Sequence, residues 1–281
     1  MSTAMTQLPT PVLSSPFDAI AERYDETFTS STVGQAQRAA VWSELQKAFD
    51  PGYRVLDIGC GTGVDARFLA DQGVDVVACD SSVQMLAVAG RRIAGFTESR
   101  SKGSVKLRRL AASEICALKN DAPFDGAFSN FGAVNCVEDM RRLASDLAVL
   151  LKPGASLLLC LMGPVCLWEI AWYLLHGQRL KAFRRVHRSG VEARLGDGAI
   201  VHVRYPGVGS MRRTFAPEFD LRNVRGIGVM VPPSYLEGWA KRLPGAMRVA
   251  VSADWFLGKC PGIRMVADHV LLRFERKTSH D

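Results

Sequence analysis

The sequence is short of several features that would assign it early. No stretch approaches the ~20 apolar residues that a membrane-crossing helix needs. The most apolar run, Gly163–Leu175, is shorter and holds Glu169. The seven cysteines include no C-x-x-C pair, and Cys79 and Cys160 sit in apolar runs, where cysteine behaves as a small hydrophobe. A disulfide framework and a zinc site are therefore not expected, no metal is assigned, and a reducing, cytoplasmic setting fits best. Residues 1–16 carry no charged side chain and lack both the basic start and the apolar run of a secretory signal. They are expected to form a mobile tail. The net charge of +7 comes as scattered pairs such as Arg91–Arg92, Arg141–Arg142 and Arg184–Arg185. There is no dense basic stripe with interleaved aromatics, so these pairs read as solvated surface and nucleic acid is not the expected partner.

What is present is a rhythm of short apolar strands and helices. Strands are expected at Arg54–Ile58, Val74–Cys79, Val105–Leu110, Phe124–Ser129 and Ser156–Met162, the last apolar enough to be buried on both faces. Helices are expected at about 15–24, 34–49, 64–72, 83–93 and 137–151, with Ser81 or Ser82 capping the fourth and a loop at 95–103. Five such alternations predict an α/β fold with a mainly parallel sheet covered by helices on both faces. The last third breaks the rhythm. A helix is expected at 166–175 with a basic helical piece through Arg188, a strand at Ile200–Tyr205, and a helix at 210–219. Late strands follow at Arg225–Val231 and Val270–Phe274, with a helix at 235–242 between them.

The strongest chemical signal is Val55-Leu-Asp-Ile-Gly-Cys-Gly-Thr-Gly-Val64. Glycines at 59, 61 and 63 let the backbone turn sharply and approach a ligand closely, and the following helix N-terminus favours an anionic group. Asp57 stands where it can meet a ligand ammonium, and Asp80, ending the next strand, can accept both hydroxyls of a ribose. The competing fingerprint for a dinucleotide, G-x-G-x-x-G, needs glycine where Val64 stands. A carboxylate ahead of the turn is also awkward beside a pyrophosphate, because like charges repel.

Residues 17–162 resemble a class I S-adenosylmethionine-dependent methyltransferase of the group related to ubiquinone and menaquinone methylases. The motifs are Asp57-Ile-Gly-Cys-Gly-Thr-Gly63, Asp80-Ser-Ser-Val-Gln-Met-Leu86, Phe124-Asp-Gly-Ala-Phe-Ser129 and Leu150-Leu-Lys-Pro-Gly-Ala155. The resemblance implies a Rossmann-like sheet of seven strands with a cap inserted after the fifth, and S-adenosylmethionine as cofactor. It implies that Asp57 and the turn Gly59, Cys60, Gly61 and Gly63 line the methionine moiety, that Asp80 holds the ribose, and that Ser81 and Met85 flank the adenosine. Phe17–Asp25 resembles the family's leading helix, in which Tyr24 folds over the donor; the alternative is an amphipathic helix packed on the sheet. The family often has an acidic residue facing the adenine amino group. Here Ala112 or Ser113 falls in that place, which puts donor affinity in question. Asn130 lies where the reactive methyl should point, and Asn135 reads as a helix cap.

By this reading residues 17–162 bind the donor, 163–210 form a cap over the acceptor site, and 211–281 complete the sheet. The cap is either a helix buried on the core or the roof of a greasy acceptor cavity. Trp168, Trp172 and Tyr173 give it an apolar surface, and its basic neighbour allows peripheral contact with an anionic membrane. No catalytic base is assigned, and His176 and His202 are the first to test. The expected activity is methyl transfer to a small, apolar or lipid-like acceptor. The other readings are an RNA methyltransferase and a non-catalytic partner subunit. The former has against it Ser129-Asn-Phe-Gly132 in place of an N/D-P-P-Y motif, and the latter the intact glycine turn. The oligomeric state is left open.

Overall fold

The computed structural model describes residues 15–94, 102–187, 189–196 and 198–278. Most of the tail expected at 1–16 and of the loop expected at 95–103 lies outside the described residues, as does Arg188.

Five parallel strands, β1 (Arg54–Ile58), β2 (Asp75–Asp80), β3 (Val105–Arg109), β4 (Phe124–Ser129) and β5 (Leu151–Met162), share a sheet with two antiparallel ones, β8 (Phe219–Ile227) and β9 (His269–Arg276). The order is β3-β2-β1-β4-β5-β9-β8, so strand order reverses beside β1. A ligand in such a sheet sits beyond the strand C-termini at that reversal. Residues 55–58 and 157–161 are buried, as strands covered on both faces must be.

The helices are α1 (Ala21–Tyr24), α2 (Thr32–Ala48), α3 (Val64–Asp71), α4 (Val83–Ala94), α5 (Met140–Leu150), α6 (Leu167–Leu175), α7 (Arg179–Ala182), α8 (Val208–Phe215), α9 (Glu237–Arg242) and α10 (Pro244–Leu257). Local chemistry sets their starts. The Ser31 hydroxyl accepts from Gly34 N, that of Ser82 from Met85 N, and the Asp139 carboxylate from Arg142 N. Leu45, Val55, Leu69 and Phe128 belong to the core on one face of the sheet; Leu56, Leu147, Phe215 and Phe274 belong to that on the other. A separate hairpin, β6 (Val191–Leu195) with β7 (Ala199–Val203), stands off the sheet.

Several expectations from the sequence are corrected. The leading helix at 15–24 is three pieces: a 3-10 turn Asp18–Ile20, then α1, then a π-turn Asp25–Thr29. α5 begins at Met140, because Asp139 is its cap and residues 133–136 form a 3-10 turn instead. Residues 210–219 do not form one helix. Phe215 ends α8 and Phe219 opens β8, and both rings are buried, 5.8 Å apart. The strand expected at 225–231 runs from 219 to 227, and the chain beyond turns so that the N–H groups of Gly228 and Val231 reach the Asp254 carboxylate. Asn135 is not a cap. Its amide nitrogen donates to the carbonyls of Met162 and Arg204, and its oxygen accepts from Met162 N, joining β5 to the exit of β7.

Candidate active site

The glycine turn is fixed by close approach. A Cβ on Gly59 would stand 2.4 Å from the Ala133 Cβ, and one on Gly63 2.9 Å from that of Ala89; both glycines have positive φ. Gly61 N donates to Asp80 Oδ2 at 2.9 Å, and Asp80 Oδ1 accepts from Ser82 N at 2.8 Å. Burial pushes the Asp80 carboxyl above its ordinary range, against the pull of these backbone donors.

Asp57 lies under the turn and is 2% exposed. Its Oδ2 is buried and meets no donor among the described residues. Burial pushes its pKa well above the ordinary 3.8, the charges of Asp65 and Asp80 add to this, and Arg38 opposes it. A buried carboxylate without a cation is expensive. The Asn130 amide oxygen is likewise buried and unpartnered, while its nitrogen donates to Asp65.

The leading segment straps the site. Asp25 accepts from the Thr62 hydroxyl at 2.7 Å and pairs with Arg92, whose Nε donates to Thr62 O. Asp18 accepts from the Ser82 hydroxyl at 2.6 Å. Tyr24 is half-buried, and desolvation raises its phenol pKa despite the nearby Arg38.

Turn and strap enclose one end of a cavity of about 730 Å³, a size typical of small-molecule sites. Tyr24, Gly59, Gly61, Asp80, Ser81, Met85, Ala112, Ser113 and Asn130 all line it. Phe17, Leu110 and Ala111 join them there. Asp57, Cys60 and Gly63 do not line it; they build the turn and its floor. The other end is walled by Met162, Tyr205, Arg184 and the inner face of the hairpin, Ala193, Leu195, Val201 and Val203. Strand alternation sets that face, and the tip closes toward the strap, since a Cβ on Gly196 would stand 2.9 Å from Ile20. The signal for this wall was the I-V-H-V-R-Y alternation at 200–205; its partner strand V-E-A-R-L, with charges at Glu192 and Arg194, gave little.

Neither histidine reaches the cavity wall. His202 pairs across the hairpin with Glu192, both exposed on the outer face, and its Nε2 lies 2.6 Å from Ser189 O. His176 ends α6, its ring 4.1 Å from that of Trp172.

Arg185, read as solvated, is buried, and Arg184 beside it is only partly exposed. Both hold Glu169, 1% exposed, and Arg185 also pairs with Asp268 at 2.9 Å. An apolar run with one acid inside it folds as a helix only if that acid finds its cations, and the next helical turn supplies them. Among the described residues no group of three His, Cys, Asp or Glu stands ready to hold a metal. No helix there is long and apolar enough to cross a membrane.

Residues 55–154 match the family model of a methyltransferase domain. Demethylmenaquinone methyltransferase of Clavibacter sepedonicus is 34% identical over 53% of this chain and 57% of that protein. The protein of the same name from Parafrankia sp. is 35% identical over 51% and 60%. The chain thus spans well under two thirds of these curated relatives. Among solved structures, an S-adenosylmethionine dependent methyltransferase from Mesorhizobium loti has a TM-score of 0.53 at 19% identity, covering 86% of this chain and 98% of that one. A Haemonchus contortus N-methyltransferase solved with phosphomonomethylethanolamine and S-adenosylhomocysteine has a TM-score of 0.56 at 21% identity, covering 94% and 58%. The fold is theirs, and residues 55–154 carry a methyltransferase domain.

Proposed function

We propose that this cavity binds S-adenosylmethionine against the glycine turn and methylates a small, apolar acceptor held against the hairpin. The observation that carries the reading is the carboxylate of Asp57, buried with an unpartnered oxygen beneath the glycine turn that lines one end of the cavity. An ammonium group would supply the cation it lacks. Asp80 can turn its oxygens from backbone to ribose hydroxyls, and Met85, Leu110, Ala112 and Ser113, which line the same cavity, would flank the adenine. Bound there, S-adenosylmethionine supplies an electrophilic methyl group on a sulfonium. The chain's own task is to hold the acceptor in line and exclude water. Tyr24 and the strap close the donor end; Met162, Val201 and Val203 press on the acceptor. No side chain is assigned as a base, and catalysis by alignment alone suits an acceptor that arrives already nucleophilic.

An acceptor of quinone type agrees with the apolar wall and with the names of the relatives, which concern a demethylmenaquinone. A lipid-like acceptor also agrees with the outer surface of the cap. Leu175 is 84% exposed, Leu180 90% and Trp239 56%, and the Trp172 ring lies 6.3 Å from that of Trp239, so α6, α7 and α9 share one apolar patch. Arg179, Lys181, Lys241 and Arg242 stand exposed around it. The acids of these helices are occupied: Glu169 by Arg184 and Arg185, Glu237 by the backbone N–H groups of Thr32 and Val33. Such a surface suits peripheral contact with an anionic bilayer.

Calorimetric titration with S-adenosylhomocysteine, with NADH as control, tests the donor reading. Micromolar binding of the first alone is the expected result. Binding of NADH, or of neither, would overturn it.

A further inference from the structure

Asp65 lies in the first turn of α3, 7% exposed, and takes part in none of the contacts assigned so far to a ligand. Its Oδ1 accepts from Arg38 Nη1 at 2.5 Å and from Trp42 Nε1 at 2.7 Å. Its Oδ2 accepts from the Asn130 amide nitrogen at 3.0 Å. Asp65 is ion-paired with Arg38, and an ionised carboxylate only accepts hydrogen bonds.

That settles which way the Asn130 amide faces. The two ends of an asparagine amide are nearly the same shape, and only the hydrogen-bond partners distinguish them. Facing Asp65, the amide must present its nitrogen, so its oxygen points the other way. That oxygen is buried and receives no donor from any described residue. Asn130 follows β4, next in the sheet to β1, where Asp57 Oδ2 is in the same condition. Two orphaned acceptors at neighbouring strand ends, beside one cavity, require a ligand group rich in donors and positively charged. A neutral hydroxyl would leave the Asp57 charge uncompensated.

We infer that Asp65 is a positioning residue: held by Arg38 and Trp42, it locks the Asn130 amide so that the carbonyl oxygen faces the ammonium group of the methyl donor. This rests on the donor reading above. Arg38 ties the lock to its surroundings. Its guanidinium lies 4.9 Å from the Phe131 ring and 5.6 Å from that of Phe28. Phe131 is the one residue other than glycine with positive φ among the described residues, and Phe28 belongs to the strap. The charge that orients Asn130 therefore also braces the strained backbone beside it and the segment that closes over the donor.

The substitution Asp65→Asn keeps the shape but lets residue 65 donate as well as accept, so the Asn130 amide can turn and present its nitrogen to the ammonium. The test uses two ligands that share an adenosine: S-adenosylhomocysteine, which has the ammonium, and methylthioadenosine, which lacks it. Asp65→Asn should weaken the first about tenfold or more and leave the second within about twofold, as losing a hydrogen bond to a charged group implies. Asn130→Ala, which leaves Asp65 paired with Arg38 and Trp42, should give the same split. Equal weakening of both ligands in these variants would reduce Asp65 to a structural residue and overturn the inference. So would unchanged binding of both by Asn130→Ala, even where Asp65→Asn does not fold. A wild-type protein that binds neither ligand would instead overturn the donor reading itself.

Discussion

Asp25 accepts a hydrogen bond from the Thr62 hydroxyl at 2.7 Å, joining the segment ahead of the first long helix to the glycine turn itself. The Asp25–Arg92 pair and the Asp18–Ser82 bond fasten the same segment over the donor end of the cavity. Thr62→Val removes the donor at constant shape and should cost about 1–2 kcal/mol of closed-state stability. The expected outcome is faster dissociation of S-adenosylhomocysteine by roughly tenfold, read by stopped-flow fluorescence. Unchanged dissociation would show that the Arg92 and Ser82 contacts hold the strap without it.

Asp57 makes the empty protein sensitive to pH. Its folded-state pKa stands above 3.8, so the folded chain binds more protons than the unfolded one across that window, and stability falls as pH rises. The penalty is absent below 3.8 and complete above the raised value; Asp80 shifts in the same direction. Asp57→Asn should therefore raise the melting temperature at neutral pH while weakening S-adenosylhomocysteine. Melting curves against pH, with and without that ligand, check both halves. A variant less stable than wild type at pH 7 would remove the argument.

The Glu169 cluster predicts a large structural effect. Glu169→Gln leaves Arg185, itself 6% exposed, short of one of its two carboxylates inside the protein. About 3–5 kcal/mol of destabilisation is expected, measured by urea unfolding. A loss below about 1 kcal/mol would mean that Asp268 alone satisfies Arg185.

The apolar patch over α6 and α7 predicts lipid dependence. Wild-type protein should co-sediment with phosphatidylglycerol vesicles at low salt and not with phosphatidylcholine. Leu175→Asp with Leu180→Asp should abolish this and leave S-adenosylhomocysteine affinity as it is. Association of the purified chain with itself, lost in the same variant, would assign the patch to a second copy instead.

The hairpin separates two outcomes. His202→Ala should change kcat/KM by no more than about twofold, because its ring lies outside. Val201→Trp, on the inner face, should raise KM for bulky acceptors and leave donor affinity untouched. A collapse of turnover in His202→Ala would restore that residue as a catalytic candidate.

The donor half was legible because it is written in backbone requirements. Glycines at 59 and 63 are dictated by approaches that no side chain survives, and Asp80 by its place at a strand end. The sheet was legible for the same reason, since strands 55–58 and 157–161 must be apolar on both faces. The acceptor half was not. Arg185 and Glu169 look like surface residues until a fold brings them together over 16 positions, and no local pattern announces that pairing. Asp65 hid in the same way, an ordinary first-turn acid whose partners come from α2 and from beyond β4. α10 went unread because its exposed Val249 and Phe256 blur the amphipathic signal.

The hairpin of β6 and β7 hangs from the sheet through Asn135 and its own ladder, and only alternate side chains look inward. Four of its side chains line the cavity, and none belongs to either large core. Under the proposed function, point substitution at these four positions would exchange one acceptor for another and leave both cores and the glycine turn untouched. Evolvability is here a matter of where the wall is mounted: on a bracket, outside the masonry.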